Sequence, residues 1–471
     1  MDISSLRSEL AQSILGDVSY DEEILDCYSV DSSFYQIRPH VVVFPKNAND
    51  VIKVLQIAKK HKVSVTPRGG ATGLVGSALN DGIILDMKNF HRIKVDKNHV
   101  TVEAGVHKGQ LDKVLYKHKR FLGPNPSVGP YCTVGGMIAT NASGSRSIKY
   151  GSMIDNLIGV TIITGAGKIL KLPSKTQIAY SVLELADQID KKRIPTVSKN
   201  SCGYRLDAVL RKDSHKVIAA SEGTLGIIIS AKLRTFGLPP KRALLVLRYD
   251  SVCNAVNDCP LLVKLEPSAL ELVDNYTMKN FGIKFSKKTK CLLFVEFDSN
   301  IPNSIAKLRK IYSGRILRIL YDEKAITKWW NLRNSALYFS LKNLLAGQSL
   351  PHIIEDSAVP VEKLKDLVAV AQNIRKMFGA KIVMYGHAGN GNIHIRLAMP
   401  KKDKNTATKI ARTFFPKIIK LGGTITGEHG DGLARTKFVK MQYGPANYAI
   451  FHKLKRQFDP DLVLNPNKIV T

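Results

Sequence analysis

Two histidines lie seven residues apart in the stretch YGHAGNGNIHIR, which runs from Tyr385 to Arg396. The Asn-Gly pair between them, flanked by alternating side chains, predicts a β-hairpin with a two-residue type I′ loop. In that register His387 stands directly opposite His394, and opposed residues hold their Cβ atoms roughly 4.5–5.5 Å apart. Two imidazoles at this separation resist joint protonation and can share a divalent metal ion. A pair of surface histidines is the alternative.

The alternation of side chains divides the predicted hairpin into two faces. One face is expected to join the core, and the other carries both histidines. The core face is predicted to hold Ile382, Met384, Ile393, Ile395, Leu397 and Met399, and the opposite face Tyr385, His387, Asn392, His394 and Arg396.

Three glycine-dense segments could bring backbone amides close to a phosphate. They are PRGGATGLVG (67–76), TVGGMIATNASGS (133–145) and SEGTLGII (221–228). The first segment lacks the Gly-Lys-Ser/Thr ending of a Walker A loop and does not fit the G-x-G-x-x-G spacing, so a nicotinamide-binding Rossmann site is disfavoured. Each segment alone is typical of a tight loop. Three in one region favour a large dinucleotide that lies along the backbone.

The glycine-dense segments lie among short strands and helices. RPHVVVFP, NANDVIKVLQIAKKHK and VSVTPRGG predict a strand, a helix and a strand from Arg38 onward. Further strands follow, and the Pro239-Pro240 pair predicts a boundary. A second α+β region begins with ALLVLRYD and contains the histidine hairpin. The predicted fold class is therefore α+β with at least two domains.

The overall composition is that of a globular protein with an excess of basic residues. The chain has 471 residues and a formal charge of +31, from 70 Lys+Arg and 39 Asp+Glu. Such a charge favours anionic partners, which could be a substrate, a membrane surface, nucleic acid or an acidic protein. The basic residues are dispersed without aromatic interleaving, so a solvated basic surface is the preferred interpretation and no nucleic-acid partner is expected.

Cysteine usage and hydropathy indicate a soluble chain. The six cysteines form no C-x-x-C pair, which argues against a zinc ribbon or an iron–sulfur cluster. No apolar run approaches the roughly 18 residues of a membrane span, and the N-terminus lacks a signal-peptide core. We expect a cytoplasmic protein, with peripheral contact to the inner face of the cell membrane left open.

Seven motifs together resemble the FAD-linked D-2-hydroxy-acid dehydrogenases of the vanillyl-alcohol-oxidase/PCMH superfamily. This family includes glycolate oxidase flavoprotein subunits, D-lactate dehydrogenases and D-2-hydroxyglutarate dehydrogenase. The motifs occur in family order and span almost the whole chain: PRGGATGL, GPNPSVGPYCTVGGMIATNASGSRSIKYG, NSCGYRL, SEGTLGII, GHAGNGNIH, GEHGDG and FDPDLVLNP.

The resemblance implies a domain plan. It implies an N-terminal helical segment (1–37), a PCMH-type FAD-binding domain of two subdomains (38–238), a ferredoxin-like α+β substrate or cap domain (239–445) and a C-terminal helix and tail (446–471). The tail is expected to pack back on the FAD domain.

The resemblance also implies the residues that contact FAD. Since the first glycine-dense loop contains no histidine, the FAD is expected to be non-covalent. The implied contacts are Pro67, Arg68, Gly69, Gly70, Ala71, Thr72, Gly73, Leu74, Ser127, Thr133, Gly135, Gly136, Ser143, Gly144, Gly151, Glu222, Gly223, Gly226, Ile227 and Ile228.

By the same resemblance, His387, His394 and Glu428 are metal ligands, with Zn as the expected ion. His429 is the catalytic base that takes the hydroxyl proton while hydride passes from C2 to flavin N5. The glycines of GEHGDG, at 427, 430 and 432, are expected to permit unusual backbone angles. Arg333 matches a family arginine that binds the substrate carboxylate, and Arg396 is a second candidate from hairpin geometry alone.

The expected substrate is glycolate or D-lactate. Relatives specific for D-2-hydroxyglutarate carry a threonine and a lysine where this chain has Leu337 and Ile354, so D-2-hydroxyglutarate is the alternative substrate. A metal-dependent hydrolase and a basic nucleic-acid-binding protein that retains the fold are competing interpretations.

An electron-acceptor partner is also expected. The sequence stops at Thr471, without the cysteine-rich module found in some family members. We therefore expect an iron–sulfur subunit, a cytochrome or a quinone-linked carrier to reoxidise the flavin. The oligomeric state is left open.

Overall fold

A computed structural model describes residues 2–342, 344–400 and 404–471. Its strands form three larger sheets and one two-stranded ribbon within these residues. The strands are β1 (Asp17–Ser19), β2 (Val41–Phe44), β3 (Val65–Arg68), β4 (Ile83–Asp86), β5 (Ile93–Val95), β6 (His99–Glu103), β7 (Arg120–Phe121), β8 (Leu157–Ile163), β9 (Ile169–Leu172), β10 (Ile227–Arg234), β11 (Phe236–Gly237), β12 (Ala243–Tyr249), β13 (Ala269–Asp274), β14 (Cys291–Phe297), β15 (Arg315–Leu320), β16 (Gln348–Ser349), β17 (Lys381–His387) and β18 (Asn392–Pro400).

Helices connect these strands and cover the sheets. The α-helices are α1 (Ile3–Ser13), α2 (Glu22–Tyr28), α3 (Ala48–His61), α4 (Lys108–Lys117), α5 (Val134–Ala139), α6 (Ser147–Tyr150), α7 (Met153–Asn156), α8 (Gln177–Leu183), α9 (Leu206–Leu210), α10 (Val252–Val263), α11 (Asn275–Met278), α12 (Ile301–Ile311), α13 (Glu323–Asn334), α14 (Ala336–Lys342), α15 (Leu364–Phe378), α16 (Lys404–Lys420) and α17 (Gly432–Phe458). Short 3₁₀ turns occupy Gly129–Tyr131, Glu184–Gln188, Lys191–Arg193, Ser214–Ile218, Val361–Lys363 and Ala388–Asn390.

The first sheet has the strand order β1-β2-β4-β3 and contains the predicted strand–helix–strand unit. Strands β2 and β3 both pair in parallel with β4, and α3 connects them. Asn47 caps α3 by accepting a hydrogen bond from the Asp50 amide at 3.1 Å. The helix buries Val51, Val54 and Ala58, at a spacing that places them on one face. This packing fixes the end of β3, from which the first glycine-dense loop emerges.

The second sheet is antiparallel and supplies the other two glycine-dense segments. Its strand order is β5-β6-β10-β8-β9. The segment 221–228 leads into β10. Helix α5 begins after Thr133, whose side chain accepts a hydrogen bond from the Gly136 amide at 3.3 Å. The segment 133–145 therefore contains a capped helix start.

The third sheet confirms the predicted ferredoxin-like cap. Its order is β15-β12-β14-β13-β17-β18-β16. Helix α10 connects β12 to β13 and helix α12 connects β14 to β15, so the first four strands have the antiparallel βαββαβ order of that fold. The histidine hairpin, β17–β18, extends this sheet through pairing of β13 with β17. The predicted α+β fold class is confirmed, and the domain limits stay a prediction.

The predicted hairpin register is wrong by two residues. His394 pairs with Tyr385, and His387 pairs with Asn392. The connection is a four-residue turn over 388–391, in which Gly391 takes a positive φ of 69°, so the two-residue type I′ loop does not form. Because side chains alternate with a period of two, a shift of two residues keeps the predicted faces intact.

The C-terminal segment returns to the first sheet. Leu464 forms a parallel bridge with Val65, and the Lys468 ammonium donates to the Leu79 carbonyl at 3.0 Å. Helix α17, which precedes the tail, is interrupted at Gly444, where φ is 74°. Among the described residues, no helix has the length and apolar character needed to cross a bilayer.

Candidate functional site

One cavity runs between the glycine-dense loops and the β17–β18 hairpin. Most of the predicted FAD contacts line it. These are Pro67, Arg68, Gly69, Gly70, Ala71, Thr72, Gly73, Leu74, Ser127, Thr133, Gly135, Gly136, Ser143, Gly144, Glu222, Gly223, Gly226 and Ile228.

Two predicted FAD contacts, Gly151 and Ile227, do not line the cavity. Gly151 ends helix α6 with a φ of 74°, and its amide donates to the Ser147 carbonyl. Ile227 is buried in the core beneath the first sheet, since its side chain points to the opposite face of β10 from Ile228. Both residues have structural roles that explain their presence in the motifs.

The opposite end of the cavity contains a cluster of histidines around Glu428. Its Oε1 atom lies 2.8 Å from His387 Nε2 and 3.2 Å from His394 Nε2. His429 Nε2 is 3.9 Å from the same oxygen. The rings of His394 and His429 stack with centroids 5.1 Å apart. The structure therefore brings together all four residues predicted for this site.

The second oxygen of Glu428 is occupied by polar groups of the FAD-binding region. Its Oε2 atom accepts hydrogen bonds from the Ser143 hydroxyl at 2.5 Å and from the Lys199 ammonium at 2.8 Å. Burial alone would raise the Glu428 pKa, but the charges of His387 and Lys199 outweigh it and hold the pKa well below its usual range. Burial in turn lowers the pKa of Lys199. Glu428 is therefore anionic, and its Oε1 atom faces His387 and His394.

His387 is oriented by a buried carboxylate from the cap sheet. Its Nδ1 atom lies 2.7 Å from Oε1 of Glu271 on β13. The other oxygen of Glu271 accepts hydrogen bonds from Arg333 on α13, one of them 2.8 Å from Nε. Because Glu271 can accept from Nδ1–H, a neutral His387 would offer its Nε2 lone pair as a metal ligand, whereas a protonated ring donates through Nε2 to Glu428 Oε1.

His394 and His429 differ in their electrostatic surroundings. Burial lowers the pKa of His394 to about 4. Burial would also lower the pKa of His429, but the charges of Asp356 and Glu355 outweigh it and raise that pKa. His429 Nδ1 lies 3.0 Å from Glu355 Oε1. One ring of the stacked pair is thus neutral, and the other has a carboxylate partner.

The GEHGDG loop is held by two buried acids. Asp356 Oδ2 accepts from the amides of Glu428 and His429 at 2.9 and 2.8 Å. Glu222, from the third glycine-dense segment, accepts from the amides of Asp431 and Gly432. Burial and the nearby Asp431 charge raise the Glu222 pKa to about 8. The loop is therefore tied both to the cap and to the predicted FAD site.

The expected unusual backbone angles occur at two of the three loop glycines. Gly430 and Gly432 have positive φ values of 84° and 46°. Gly427 does not, but a Cβ there would lie 2.8 Å from the Asn392 side-chain nitrogen. Close packing, rather than a left-handed backbone, explains glycine at that position.

Two family models match the chain. An FAD binding domain matches residues 39–173, and the C-terminal domain of FAD linked oxidases matches residues 238–469. The chain belongs to the FAD-linked oxidase family. The family predicted from the motifs is confirmed.

Several curated relatives of this FAD-linked oxidase are enzymes of 2-hydroxy acids. A D-2-hydroxyglutarate dehydrogenase of Pseudomonas putida is 30% identical over 97% of this chain, but this chain spans only 50% of that protein. Glycolate oxidase subunit GlcD of Bacillus subtilis is 28% identical, with 94% of this chain and 91% of that one covered. A mitochondrial D-lactate dehydrogenase (cytochrome) of Kluyveromyces lactis is 27% identical, with 92% and 74% covered.

The solved structures that resemble this FAD-linked oxidase support the fold. A structure of alkyldihydroxyacetonephosphate synthase has a TM-score of 0.71 and 20% identity, covering 99% of this chain and 85% of that one. A BBE-like protein of Physcomitrella patens has a TM-score of 0.64 and 13% identity, with 98% of both chains covered.

The first glycine-dense loop fits the pyrophosphate of FAD. None of the backbone amides of residues 69–74 donates a hydrogen bond to another described residue, and all six residues line the cavity. Ala71 takes a positive φ of 48°, a conformation that lets neighbouring amides converge on an anion. Unpaired backbone amides that line a cavity are donors that a pyrophosphate can use.

The histidine cluster fits a divalent cation. His387, His394 and Glu428 offer two imidazole nitrogens and one carboxylate oxygen, which are ligands that Zn²⁺ prefers. His394 also has a buried Nδ1 without a hydrogen-bond partner among the described residues, 3.7 Å from Asp356 Oδ1. An overlapping set, Asp356, His394, Glu428 and His429, has ligand atoms within 4.8 Å of one another. The two alternative ligand sets share His394 and Glu428. They differ in whether His387, or Asp356 and His429, completes the site.

Sequence reasoning missed four charged residues around the cluster in this FAD-linked oxidase. Glu271 and Lys199 hold the ligands directly, and Glu355 and Asp356 hold His429 and its loop. A glutamate inside the apolar strand ALELVD and two adjacent acids in EDSAVP were usable signals, because buried acids require partners. Their partners lie far away in sequence, so the sequence did not predict which residues these charged groups contact.

Proposed function

We propose that this FAD-linked oxidase oxidises a small D-2-hydroxy acid, glycolate or D-lactate, to the 2-oxo acid. One observation carries the proposal: the His387–His394–Glu428–His429 cluster closes the same cavity that the glycine-dense loops line. The relatives named D-lactate dehydrogenase (cytochrome) and glycolate oxidase subunit GlcD support this substrate class.

Two bound groups complete the proposed site. The amides of residues 69–74 would hold FAD without a covalent bond, and FAD supplies a hydride acceptor. His387, His394 and Glu428 would hold a divalent metal, which we propose to be Zn²⁺, and such an ion lowers the pKa of a coordinated hydroxyl.

His429 is the proposed general base. Glu355 accepts a hydrogen bond from Nδ1–H, which leaves the Nε2 lone pair free to take the substrate hydroxyl proton. The carboxylates of Asp356 and Glu355 raise the His429 pKa, so they stabilise the imidazolium that forms. The stacked His394 remains neutral because burial lowers its pKa to about 4. The proton is therefore held on one defined ring.

The substrate end of the cavity has an apolar wall. Leu337 lines it, whereas Ile354 is 2% exposed and packs in the core. Of these two residues, Leu337 is therefore the one that can contact the substrate. D-2-hydroxyglutarate is the second candidate, favoured by the 30% identity with the Pseudomonas putida relative.

The test is an artificial-acceptor assay with purified FAD-loaded protein. Glycolate, D-lactate, L-lactate and D-2-hydroxyglutarate are compared, each with and without a chelator. We expect turnover with glycolate or D-lactate that the chelator abolishes and that added Zn²⁺ restores. Turnover restricted to D-2-hydroxyglutarate would select the second candidate. FAD-loaded protein that oxidises none of the four would reject the proposed function.

A further inference from the structure

Arg396 is a buried cation whose polar contacts are neutral. It lies on β18, is 2% exposed and lines the cavity. Its Nε donates to the Tyr385 hydroxyl at 2.7 Å and its Nη1 to His352 Nδ1 at 2.8 Å. His352 must be neutral to accept this bond, and burial together with the Arg396 charge lowers the His352 pKa to about 3. Nη2 makes no hydrogen bond to any described residue.

Three other cations around the histidine cluster are paired with carboxylates. Arg333 binds Glu271, Lys199 binds Glu428 and Arg435 binds Glu355. Arg396, by contrast, has no carboxylate oxygen within 4.0 Å among the described residues. A buried guanidinium without a counter-ion is costly, and the cost is removed when an anion arrives with a ligand.

The position of Arg396 suits the carboxylate of a 2-hydroxy acid. Arg396 and His394 lie two residues apart on the same face of β18, so their Cα atoms are separated by roughly 6.6 Å along the strand. Tyr385, which orients Arg396, also packs edge-on against His394 with ring centroids 5.4 Å apart. A 2-hydroxy acid carries its hydroxyl and carboxylate on adjacent carbons, so a ligand whose hydroxyl meets the histidine cluster can turn its carboxylate towards Arg396 in the same cavity.

We propose that Arg396 binds the substrate carboxylate, with Tyr385 and His352 fixing the guanidinium plane, and that its single unpaired charge selects monocarboxylates. The proposal rests on the proposed function for the identity of the substrate. Arg333, which also lines the cavity, then acts as a positioning residue, because its Nε and Nη2 both donate to Glu271 behind His387. Leu337 forms the wall where a second carboxylate would otherwise need a partner.

The kinetic test compares a charged substrate with a neutral isostere. FAD-loaded wild type, Arg396→Met, Arg396→Lys and Tyr385→Phe are assayed with D-lactate and D-lactamide, and Arg318→Met, on the exposed face of β15, is the matched control. We expect Arg396→Met to lower kcat/KM for D-lactate by about 100-fold and to change it less than about 3-fold for D-lactamide. Arg396→Lys and Tyr385→Phe should fall between wild type and Arg396→Met. An Arg396→Met enzyme that still prefers D-lactate as strongly as wild type would overturn the proposal.

A binding test separates this inference from the proposed function. Pyruvate cannot reduce oxidised FAD, so its binding is followed by thermal shift and by flavin absorbance without turnover. We expect pyruvate to raise the Tm of the wild type and of Arg318→Met, but not of Arg396→Met. If pyruvate binds through Arg396 while no 2-hydroxy acid is oxidised, the proposed function is wrong and the anion site stands. If pyruvate stabilises Arg396→Met as much as wild type, the anion site is wrong.

The ligand-free stability of two variants gives a further check. Arg396→Met removes a charge without a carboxylate partner and two hydrogen bonds to neutral groups, so its Tm without ligand should fall less than that of Arg333→Met. Arg333→Met leaves Glu271 buried without its cation, so its Tm should fall. A loss of ligand-free Tm in Arg396→Met as large as that in Arg333→Met would contradict the absence of a carboxylate partner for this guanidinium and would overturn the proposal.

Discussion

At the residue scale, Glu428 uses its two carboxylate oxygens for different tasks. Oε2 is bound by Ser143 and Lys199 on the FAD side, and Oε1 faces His387 and His394 on the cap side. The buried Lys199 ammonium stabilises the carboxylate charge without occupying Oε1. Oε1 therefore meets the two imidazole nitrogens, and these three atoms form a donor set of the kind that binds a divalent cation.

The proposed metal ligands are tested by removing each imidazole. His387→Ala and His394→Ala should lower metal affinity at least about 100-fold while FAD stays bound, because the ligands and the glycine-dense loops belong to different sheets. Metal content is measured by elemental analysis and FAD content by absorbance. His91→Ala, at an exposed position, is the control and should keep both. Full metal content in either cluster variant would contradict the ligand set.

The role of His429 is tested separately. His429→Ala should retain the metal and FAD but slow single-turnover flavin reduction by about 10²-fold or more, because the hydroxyl proton loses its acceptor. Stopped-flow absorbance measures this rate. An unchanged rate of flavin reduction would show that His429 is not the general base. Loss of the metal in this variant would instead favour the overlapping ligand set that contains Asp356 and His429.

At the element scale, the local sequence of the β17–β18 hairpin predicted its two faces but not its turn. The alternation in β17 and β18 predicted which side chains share a face, and this held although the register moved by two residues. The turn was mispredicted because the Asn-Gly pair lies inside a longer connection, where Val359 packs against Gly391 and its amide donates to the Gly391 carbonyl at 3.0 Å. Tertiary contacts decided the turn, and local turn preference did not.

The motifs predicted the residues of the site, but the sequence did not predict which side chains bind one another there. GHAGNGNIH and GEHGDG indicated His387, His394, Glu428 and His429, and the structure gathers all four. The bond between Arg333 and Glu271 joins residues 62 positions apart on a helix and a strand. Nothing in the local sequence of either residue encodes that separation, so the partner of Arg333 required the fold.

The glycine-dense loops allow a matched pair of substitutions. A Cβ at Gly70 would lie 2.2 Å from the Tyr131 carbonyl oxygen, whereas a Cβ at Gly73 would meet only the Ser77 hydroxyl at 3.5 Å. Gly70→Ala should therefore push two loops apart and destabilise the FAD-free protein by about 1–3 kcal/mol. Gly73→Ala should leave FAD-free stability unchanged and weaken FAD binding only if this loop contacts the cofactor. Denaturant titration and FAD content measure the two effects.

Equal FAD-free stability in Gly70→Ala and wild type would contradict the loop contact. Undiminished FAD affinity in Gly73→Ala would contradict the assignment of this loop to the pyrophosphate. The two variants thus separate packing between loops from contact with the cofactor.

At the scale of the whole molecule, the cap and the FAD-binding region meet through charged groups as well as apolar ones. Arg146 on the FAD side binds Glu296 of the cap sheet, with 2.7 Å between Nε and Oε1. Burial would raise the Glu296 pKa, but Arg146 outweighs it and keeps the pKa lowered. Glu222 and Glu428 add further links across the same boundary. These contacts fix the distance between the loops that would hold FAD and the hairpin that would hold the substrate.

A flavin that the substrate has reduced must be reoxidised before the next turnover. We propose that a separate acceptor reoxidises the flavin, because one relative is a D-lactate dehydrogenase (cytochrome) and another is a glycolate oxidase subunit. All six cysteines lie among the described residues as free thiols, two of them exposed and four buried. The formal charge of +31 favours an acceptor with an acidic or anionic surface.

Stopped-flow reoxidation of substrate-reduced enzyme tests this route. Reoxidation in air should be slow, and reoxidation by anionic ferricyanide should slow further as salt rises, because screening weakens its attraction to the basic surface. A neutral quinone is the matched acceptor, whose rate should not depend on salt. Ferricyanide rates that do not change with salt would show that the basic surface does not attract the acceptor. Hydrogen peroxide formed in air as fast as substrate reduces the flavin would identify a self-sufficient oxidase that needs no partner.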